Sequence, residues 1–580
     1  MNKHSVALVL DEIGTLMELL GEERFRSRAY LSAARAVDKL EADIADLARR
    51  DALLTVPGIG PATARVIREL IDTGESKLHT QLRGRTPDGL LELLSVPGLG
   101  AGRVHQLYAG LGVRSIEELE HAARAGRVAQ LRGFGKKTQE RILAGIEYVR
   151  GLTGRRRQPS ALDAAARVIG WLDEHAEVVD VKLAGELRRR LETVDGVDIV
   201  VAVADDDAGD LTDAFLALPI LSLAERRRPD GNAGLLGARG HLADGLELRV
   251  HCAPPAAFPA AWISLTGSSK HLARLRTLAD ERGLRLDALG LWRGDARVPA
   301  ATEEAIYEAL GLGWIAPELR ETGDEVDAWL AGDLPALVDS ADLRGCFHCH
   351  TTFSDGSATV AELGHAAIER GWRYLGIADH SQYAGYASGL TAERVSEQHA
   401  AIDGWNERHG QRVWVFKGTE ADILPDGSVD YAGEGSGVLE RFDYVIASVH
   451  SSFRMSEAQM TDRVLRALQN PYVTFLGHPT GRLLLRREGF GLDVERVIEA
   501  AAAGGKGIEI NSNPHRLELD WRYWRRAREL GVRAAINPDA HSIRELDNVH
   551  YGVGVARKGW LQAADVVNAW ELEEVREYFQ

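Results

Sequence analysis

Nine side chains after residue 345 have the types and spacing needed to hold divalent metal ions. His348 and His350 lie in CFHCHTTFSDG with Asp355 close behind, and His380 ends YLGIADH. Glu420 ends WVFKGTE, His450 ends YVIASVH, His478 follows VTFLG, and Asp539 and His541 close RAAINPDAH. A short apolar run ending in a ligand is how a buried parallel strand delivers a side chain to a barrel mouth. The i, i+2 pairs His348/His350 and Asp539/His541 share one face on an extended chain. Imidazole with carboxylate, and no need for thiolate, suits Zn, Mn or Fe. Clusters of that kind polarise a phosphoryl oxygen and generate hydroxide at neutral pH. A lone HxH would mean little, but nine ligand types in repeated strand-end contexts read as a metal-dependent phosphoesterase site for two or three ions.

The rest of the chain must position that cage. At 580 residues it exceeds a single core, so several domains are expected. No apolar stretch reaches membrane-spanning length, and MNKHSVALVLDEIG lacks the basic start and cleavage site of a signal peptide. Three cysteines cannot build a disulfide framework, which fits a reducing cytoplasm. Cys346 and Cys349 form a CxxC without a second copy; on a regular strand Cys346 would share the histidines' face and Cys349 would face away. A net charge of −17 excludes only indiscriminate DNA coating. Local phosphate contacts remain open, with arginine runs at 155–157, 188–190 and 226–228, each equally readable as a solvated helix face.

Residues 1–150 are helical in pattern and carry three Gly-hydrophobic-Gly interruptions: VPGIGPATA, VPGLGAGRV and LRGFGKKTQ. They contain Gly58 and Gly60, Gly98 and Gly100, and Gly133 and Gly135, with Arg65, Arg103, Lys136 and Lys137 just downstream. This is the helix-hairpin-helix design, in which glycines permit a tight turn and the next helix start offers N–H groups to a phosphate. Three copies favour sequence-independent binding of DNA backbone. From about 160 to 325 the pattern is mixed, with VVDVKLAGEL, VDIVVAVAD and LELRVHCAP reading as strands. After 345, strands and helices alternate in the manner of a β/α barrel.

This order resembles the bacterial X-family DNA polymerases that carry a PHP domain, and the resemblance spans nearly the whole chain. GEERFRSRAYLSAARAV resembles the family's amino-terminal DNA-binding domain, and IAPELRETGDE the end of its thumb. The fold class implied is multidomain: an α-helical helix-hairpin-helix region, an α+β nucleotidyltransferase palm and thumb, and an α/β PHP barrel. The boundaries expected are 1–85 for a helical DNA-binding domain, 86–155 for tandem helix-hairpin-helix motifs, 156–250 for the palm, 251–326 for the thumb, 327–342 for a linker and 343–580 for the PHP domain. By resemblance the barrel holds three divalent ions, Mn or Zn or Fe, with Glu420 bridging, and cleaves phosphodiesters at DNA 3′ ends.

The palm departs from the family pattern where its chemistry would occur. Gly185-Glu186 stands in place of Gly-Ser at the triphosphate site. ETVDGVDIV keeps Asp198 but has Gly196 at the first metal aspartate, with Asp195 one position off and facing the other way unless a bulge intervenes. Glu247 replaces the third aspartate, Ser264-Leu265 replaces an aromatic pair before Thr266-Gly267-Ser268, and Leu272 replaces an asparagine. A carboxylate about 4 Å from a phosphate charge costs on the order of 4 kcal/mol at an effective dielectric of 20. That corresponds to roughly a thousandfold in affinity. Arg188, Arg189 and Lys270 persist, so the palm is expected to act as scaffold and DNA clamp, aided by Thr266, Gly267 and Ser268, with polymerase activity weak or absent.

The leading reading is therefore a 3′→5′ exonuclease or 3′-end-processing repair enzyme acting on gapped, nicked or 3′-ended DNA, monomeric, cytoplasmic and nucleoid-associated. Asp379 is a candidate for proton transfer or for orienting His380. Arg482 and Arg516 are candidate phosphate ligands, each also readable as an ordinary salt-bridged arginine. The alternatives are an active gap-filling polymerase with Mg at Asp195, Asp198 and Glu247, and a non-catalytic DNA-end binder with structural metals. His105, His241, His271 and His515 are read as structural or solvent-facing.

Overall fold

A computed structural model describes residues 3–580 apart from 39, 41–43, 153, 228–233 and 434–436, so Arg228 of the third arginine run lies outside the described residues. The chain forms two compact units, Met1–Thr153 and Gly154–Gln580. Among the described residues no helix is long and apolar enough to cross a membrane.

The first unit repeats one device three times: a 3-10 turn, a Gly-x-Gly hairpin, then a helix. The helices are α1 (Pro61–Thr73), α2 (Ala101–Leu111) and α3 (Lys136–Leu152). The first glycine of each hairpin, Gly58, Gly98 or Gly133, is left-handed at φ +94°, +85° and +90°, a conformation that carries no steric cost only for glycine. The apolar residue between the glycines, Ile59, Leu99 or Phe134, is buried and anchors the turn to the core.

In the second unit the palm is a five-stranded sheet of β1 (Asp180–Leu183), β2 (Gly196–Ala202), β3 (Ser222–Arg227), β4 (Leu236–His241) and β5 (Glu247–Ala253). Its spatial order is β1-β2-β5-β4-β3, with only β2 and β5 parallel. The sheet therefore runs to Ala253, past the boundary expected at 250. The edge hairpin β3–β4 escapes the sequence pattern because SLAERR is exposed throughout and LGARGH has no apolar alternation. Residues 327–342 are not a free linker. Ala328, Trp329, Leu334 and Leu337 pack on a thumb core of Ile263, Leu275, Leu278, Tyr307 and Val326, so apolar burial ties this segment to the thumb.

After residue 344 the strands are β6 (Gly345–Cys349), β7 (Tyr374–His380), β8 (Trp414–Asp422), β9 (Tyr444–Ser448), β10 (Phe475–Leu476), β11 (Gly507–Asn511) and β12 (Ala534–Asn537). They pair in sequence order, all parallel, and a bridge between Cys349 and Ala540 brings β6 back beside the chain leaving β12. The result is a nearly closed parallel barrel. Phe347, Tyr374, Phe416, Tyr444 and Phe475 fill its interior, with Phe579 stacked on Tyr444 at 5.0 Å and edge-on to Phe347 at 5.3 Å. This aromatic plug leaves polar side chains only the carboxyl ends of the strands.

Strand β6 is bulged. Its pairing register shifts between Cys346 and Cys349, and His348 adopts φ +58°. The bulge overturns the expectation that the two cysteines face opposite ways: both lie in the layer outside the barrel, sulfurs 3.6 Å apart, while Phe347 points inward.

Candidate metal centre

All nine expected ligands converge at the carboxyl ends of the barrel strands, and Glu420 is the hub. His348, His450 and His478 place Nε2 at 3.3, 3.2 and 2.9 Å from its Oε1. His380 Nδ1 and His350 Nε2 lie 2.9 and 3.8 Å from Oε2. Asp539 Oδ1 stands 3.3 Å from His350 Nε2 and 3.6 Å from His348 Nε2. Asp355 Oδ1 stands 3.4 Å from His541 Nε2 and 3.7 Å from His380 Nε2. Three overlapping groups result, each with ligand atoms within 4.8 Å of one another: His350/Asp355/His380/His541, His348/His350/Glu420 and His380/Glu420/His450.

The donor set fits bound cations. His348 Nε2, both ring nitrogens of His350, His380 Nδ1 and His478 Nδ1 are buried without a well-formed hydrogen bond. Buried polar atoms are normally satisfied, so this concentration of exceptions needs a ligand. His450 and His478 also face each other Nε2 to Nε2 at 3.2 Å, a contact in which only one ring can donate. His348 and Asp539 are held at φ +58° and +52°, and such backbone strain accumulates at functional sites.

Electrostatics point the same way. Burial opposes charge on Glu420, Asp539 and Asp355, yet the surrounding histidines hold all three below the usual carboxylate range, Asp355 at about 2. Burial likewise opposes charge on His450 and His541. Glu420 and Asp422 push His450 up to about 10, and Asp355 and Asp539 push His541 up to about 9. His350 goes the other way, driven down to about 3 by burial and by its neighbours His541 and His380. The cage is anionic and recruits protons when no metal supplies the charge; metal binding would release them.

Sequence reasoning missed Glu509. It is fully buried on β11, accepts from His348 Nδ1 at 2.5 Å and from the His478 N–H at 2.7 Å, and is braced by Asn537 and Asn511 at 3.0 and 3.1 Å. It fixes the His348 tautomer so that Nε2 faces the cage, as Asp422 does for His450 through Nδ1 at 3.3 Å. A signal existed: β11 is the one barrel strand to which no ligand was assigned, and GIEIN has the same apolar-run-to-acid pattern.

Of the three proposed assisting residues, only Arg516 reaches the cage. Its Nε lies 3.7 Å from Asp539 Oδ2 and 3.5 Å separates its outer nitrogen from Glu518. Asp379 is corrected. Alternation on β7 turns it away from His380, and its carboxylate accepts from Thr351 N–H and hydroxyl, Ser354 and Gln398 at 2.5–2.7 Å. It therefore shapes the loop carrying Asp355 and neither transfers protons nor orients His380. Arg482 is corrected too, because its donors go to the carbonyls of Arg516 and Leu517 and to Asp520.

The palm carboxylates also converge, but on an arginine. Arg249 donates to both oxygens of Asp198 at 2.8 and 2.9 Å, to Asp195 at 2.9 Å and to Glu247 at 2.8 Å. Asp195 reaches this point because it sits in the kink just before β2. Burial pushes the Asp198 carboxyl up, but His251 and Arg249 outweigh it and hold it low. A Cβ on Gly196 would stand 2.8 Å from the Arg249 guanidinium and 2.9 Å from the Glu247 carbonyl oxygen, so the guanidinium fills the space beside the missing aspartate. Gly185 is equally constrained, at φ +65° with a Cβ 2.4 Å from Asp198.

Other expectations for the palm need correction. Glu186 is not a bare repulsive charge, since it accepts from Arg155 at 3.0 Å and from the Asp195 N–H at 3.2 Å. Arg188 is clamped by Glu303 at 2.6 Å and lies 3.5 Å over Trp262, and Arg189 pairs with Glu321 at 3.0 Å, so neither is free to grip DNA. Thr266 and Ser268 spend their polar atoms internally, on Arg188, Arg189, Glu321 and the His271 N–H. Lys270 stays exposed.

In the hairpin unit the second glycines behave differently from the first. Gly60 and Gly100 have ordinary φ of −99° and −93° as helix N-caps, and a Cβ at Gly60, Gly100 or Gly135 would meet nothing within 4 Å. Neither backbone nor internal packing requires glycine there. What glycine leaves is open space in front of a helix start, where an external anion can approach the N–H groups. Lys136 and Lys137 are exposed beside the third hairpin, whereas Arg103 is turned back onto the Gly98 carbonyl at 2.9 Å.

Family models match four stretches: a helix-hairpin-helix domain over 1–76, a SAM-like helix-hairpin-helix tandem over 90–147, the DNA polymerase beta thumb over 261–321 and a PHP domain over 347–513. Among curated proteins the chain is 35% identical over 587 residues to the DNA polymerase/3'-5' exonuclease PolX of Bacillus subtilis, covering 100% of both chains. It is 28% identical over 246 residues to a probable phosphatase of Thermoanaerobacter, covering 40% of this chain and 93% of that one. It is also 26% identical over 350 residues to DNA polymerase lambda of Arabidopsis thaliana, covering 54% and 61%.

Proposed function

The chain belongs to the PolX family of bacterial DNA polymerase/3'-5' exonucleases, and from that premise we propose that it works as a metal-dependent 3′→5′ exonuclease or 3′-end trimming enzyme whose palm no longer polymerises. The observation that carries this reading is the contrast between its two carboxylate clusters. Glu420 is ringed by five imidazoles, four of which carry an orphaned nitrogen, whereas the palm triad is neutralised by Arg249.

The nine side chains His348, His350, Asp355, His380, Glu420, His450, His478, Asp539 and His541 would hold up to three ions of Mn, Zn or Fe, with Glu420 shared between sites. Such ions supply activation of the attacking water and neutralise charge on the phosphoryl group. The protein's part is orientation: Glu509 and Asp422 aim His348 and His450. Arg516 offers a guanidinium donor to a phosphate oxygen beside Asp539, and bidentate geometry suits that task. The helix-hairpin-helix unit holds the DNA backbone through open N–H groups without reading bases.

One observation favours a second reading, an active gap-filling polymerase. Asp195, Asp198 and Glu247 do meet at one point, so a swing of Arg249 would leave a three-carboxylate cation site. The two readings separate on a 5′-labelled primer–template with Mn²⁺, with and without dNTPs. Shortening that disappears in His348→Ala/His350→Ala, with no extension, supports the nuclease. Extension by both proteins would overturn the disabled palm.

A further inference from the structure

The three arginines at 155–157 have three different fates. Arg155 neutralises Glu186 at 3.0 Å, and Arg156 pairs with Asp244 at 3.4 Å. Arg157 has no carboxylate partner among the described residues, although it is half-buried. It lies on the side of the palm that meets the barrel. There Gln158 is pinned to the Leu191 carbonyl at 2.7 Å, and neighbouring Glu192 takes Arg522 at 3.4 Å and Arg482 at 3.7 Å from the barrel.

On the barrel side, two loops are tied together at this place. Arg482 donates to the Arg516 carbonyl at 2.9 Å, and the Leu484 N–H donates to the His515 carbonyl at 2.6 Å. These loops present Arg486, His515 and Arg516. Arg486 is exposed and, among the described residues, has no ion pair. Arg516 is largely buried beside the metal ligand Asp539, and one of its outer nitrogens, 3.5 Å from the Glu518 carboxylate, makes no well-formed hydrogen bond.

The groups are close enough to feel one another. Burial and the Arg486 cation lower the Arg157 guanidinium's affinity for its proton. Burial, Arg157, Arg486 and Arg516 do the same to His515. Arg516 is offset by Asp539 and Glu518, but the Arg157 and Arg486 cations have no such partner among the described residues, and holding them together is unfavourable unless an anion is shared. The row leads from the palm edge to a guanidinium touching the metal cage, and a polyanionic strand fits such a row.

We propose that Arg157 of the palm, with Arg486, His515 and Arg516 of the barrel, forms the phosphate track along which the substrate DNA strand reaches the metal centre. The palm, with an arginine held among its carboxylates, thereby serves as one wall of the nuclease site. This rests on the reading of the barrel as a DNA phosphodiesterase and adds the route of its substrate.

The test uses the full-length, metal-loaded protein on a labelled 3′-ended oligonucleotide, measuring KM across a salt series. Arg157→Ala and Arg486→Ala should each raise KM about tenfold, and each should reduce the log KM against log salt slope by about 0.7. Metal content and Tm are read in parallel. Arg156→Ala, the adjacent residue but paired with Asp244, serves as the neighbouring control and should leave KM and slope unchanged. Arg157→Lys keeps the charge and should stay within about threefold of wild type. Unchanged KM and slope in Arg157→Ala, with wild type active on DNA, would overturn the track and leave the nuclease standing. A Lys variant as weak as Ala at unchanged Tm would also overturn it. Wild type that loads metal yet leaves DNA intact would overturn the nuclease reading itself.

Discussion

Glu509→Gln is the sharpest single probe of the metal centre, because this residue touches no expected substrate and acts only through His348 and His478. In the native protein its two oxygens accept from His348 Nδ1 at 2.5 Å, the His478 N–H at 2.7 Å, Asn537 at 3.0 Å and Asn511 at 3.1 Å. Glutamine keeps one acceptor and turns the other into a donor facing two donors. Such a conflict costs about 1–3 kcal/mol. The lost charge matters as well: across an imidazole, roughly 6 Å from a divalent ion at Nε2, it is worth about 5.5 kcal/mol at an effective dielectric near 20. Part of each penalty relaxes, so a 10–100-fold loss of metal affinity is expected, about 1.4–2.7 kcal/mol. Competition against a chelator of known affinity, followed by metal analysis, measures this directly. Exonuclease activity at limiting Mn²⁺ should fall in step and recover at high Mn²⁺. Unchanged affinity would show that His348 needs no anionic partner, and the account of Glu509 as its orienting group would be wrong.

Arg249→Ala should convert the palm triad into a cation site. With the barrel saturated in Mn²⁺, added Mg²⁺ is expected to raise the variant's Tm but not that of wild type. Absence of that difference would sink the claim that the guanidinium stands in for a cation. Gly60→Ala, Gly100→Ala and Gly135→Ala together should leave Tm little changed, because the gain of about 0.4–1 kcal/mol from a stiffer unfolded chain is offset by the poorer N-cap that Ala makes. DNA retention in a gel-shift assay should nevertheless weaken; a retained affinity would mean the open space receives no phosphate. Glu303 is buried between Arg188 and Arg320; burial pushes its carboxyl up, but the two arginines hold it down to about 2. Its folded pKa lies below the unfolded value, so its contribution is present above about pH 4.5 and lost as pH falls toward 2. Glu303→Gln should cost about 3 kcal/mol at neutral pH and flatten that acid limb in urea melts; a limb of unchanged slope would assign acid sensitivity elsewhere.

The barrel and the meeting of the nine candidate ligands at its mouth were legible in the sequence because most of them close an apolar strand, and burial of such strands forces their ends to one mouth. The three hairpins were legible for a similar local reason: a left-handed turn between helices demands glycine wherever it occurs. The orienting and disabling residues were not legible locally. Glu509 looks like any strand glutamate until β11 closes beside β10 and β12 and points it at His348. Asp379 sits next to a ligand in sequence, yet strand alternation sends it to the opposite face.

The sequence alone therefore determined which chemistry the chain carries, since ligand types, strand periodicity and turn residues are properties of short segments. Tertiary structure alone decided where the charges go. Arg249 meets Asp195, Asp198 and Glu247 only because β2 and β5 pair in one parallel register. Arg157 comes within electrostatic reach of Arg486 only because the palm edge packs on the barrel loops. Electrostatic partnership depends on a few ångströms between segments distant in the chain, and no pattern within either segment encodes that distance.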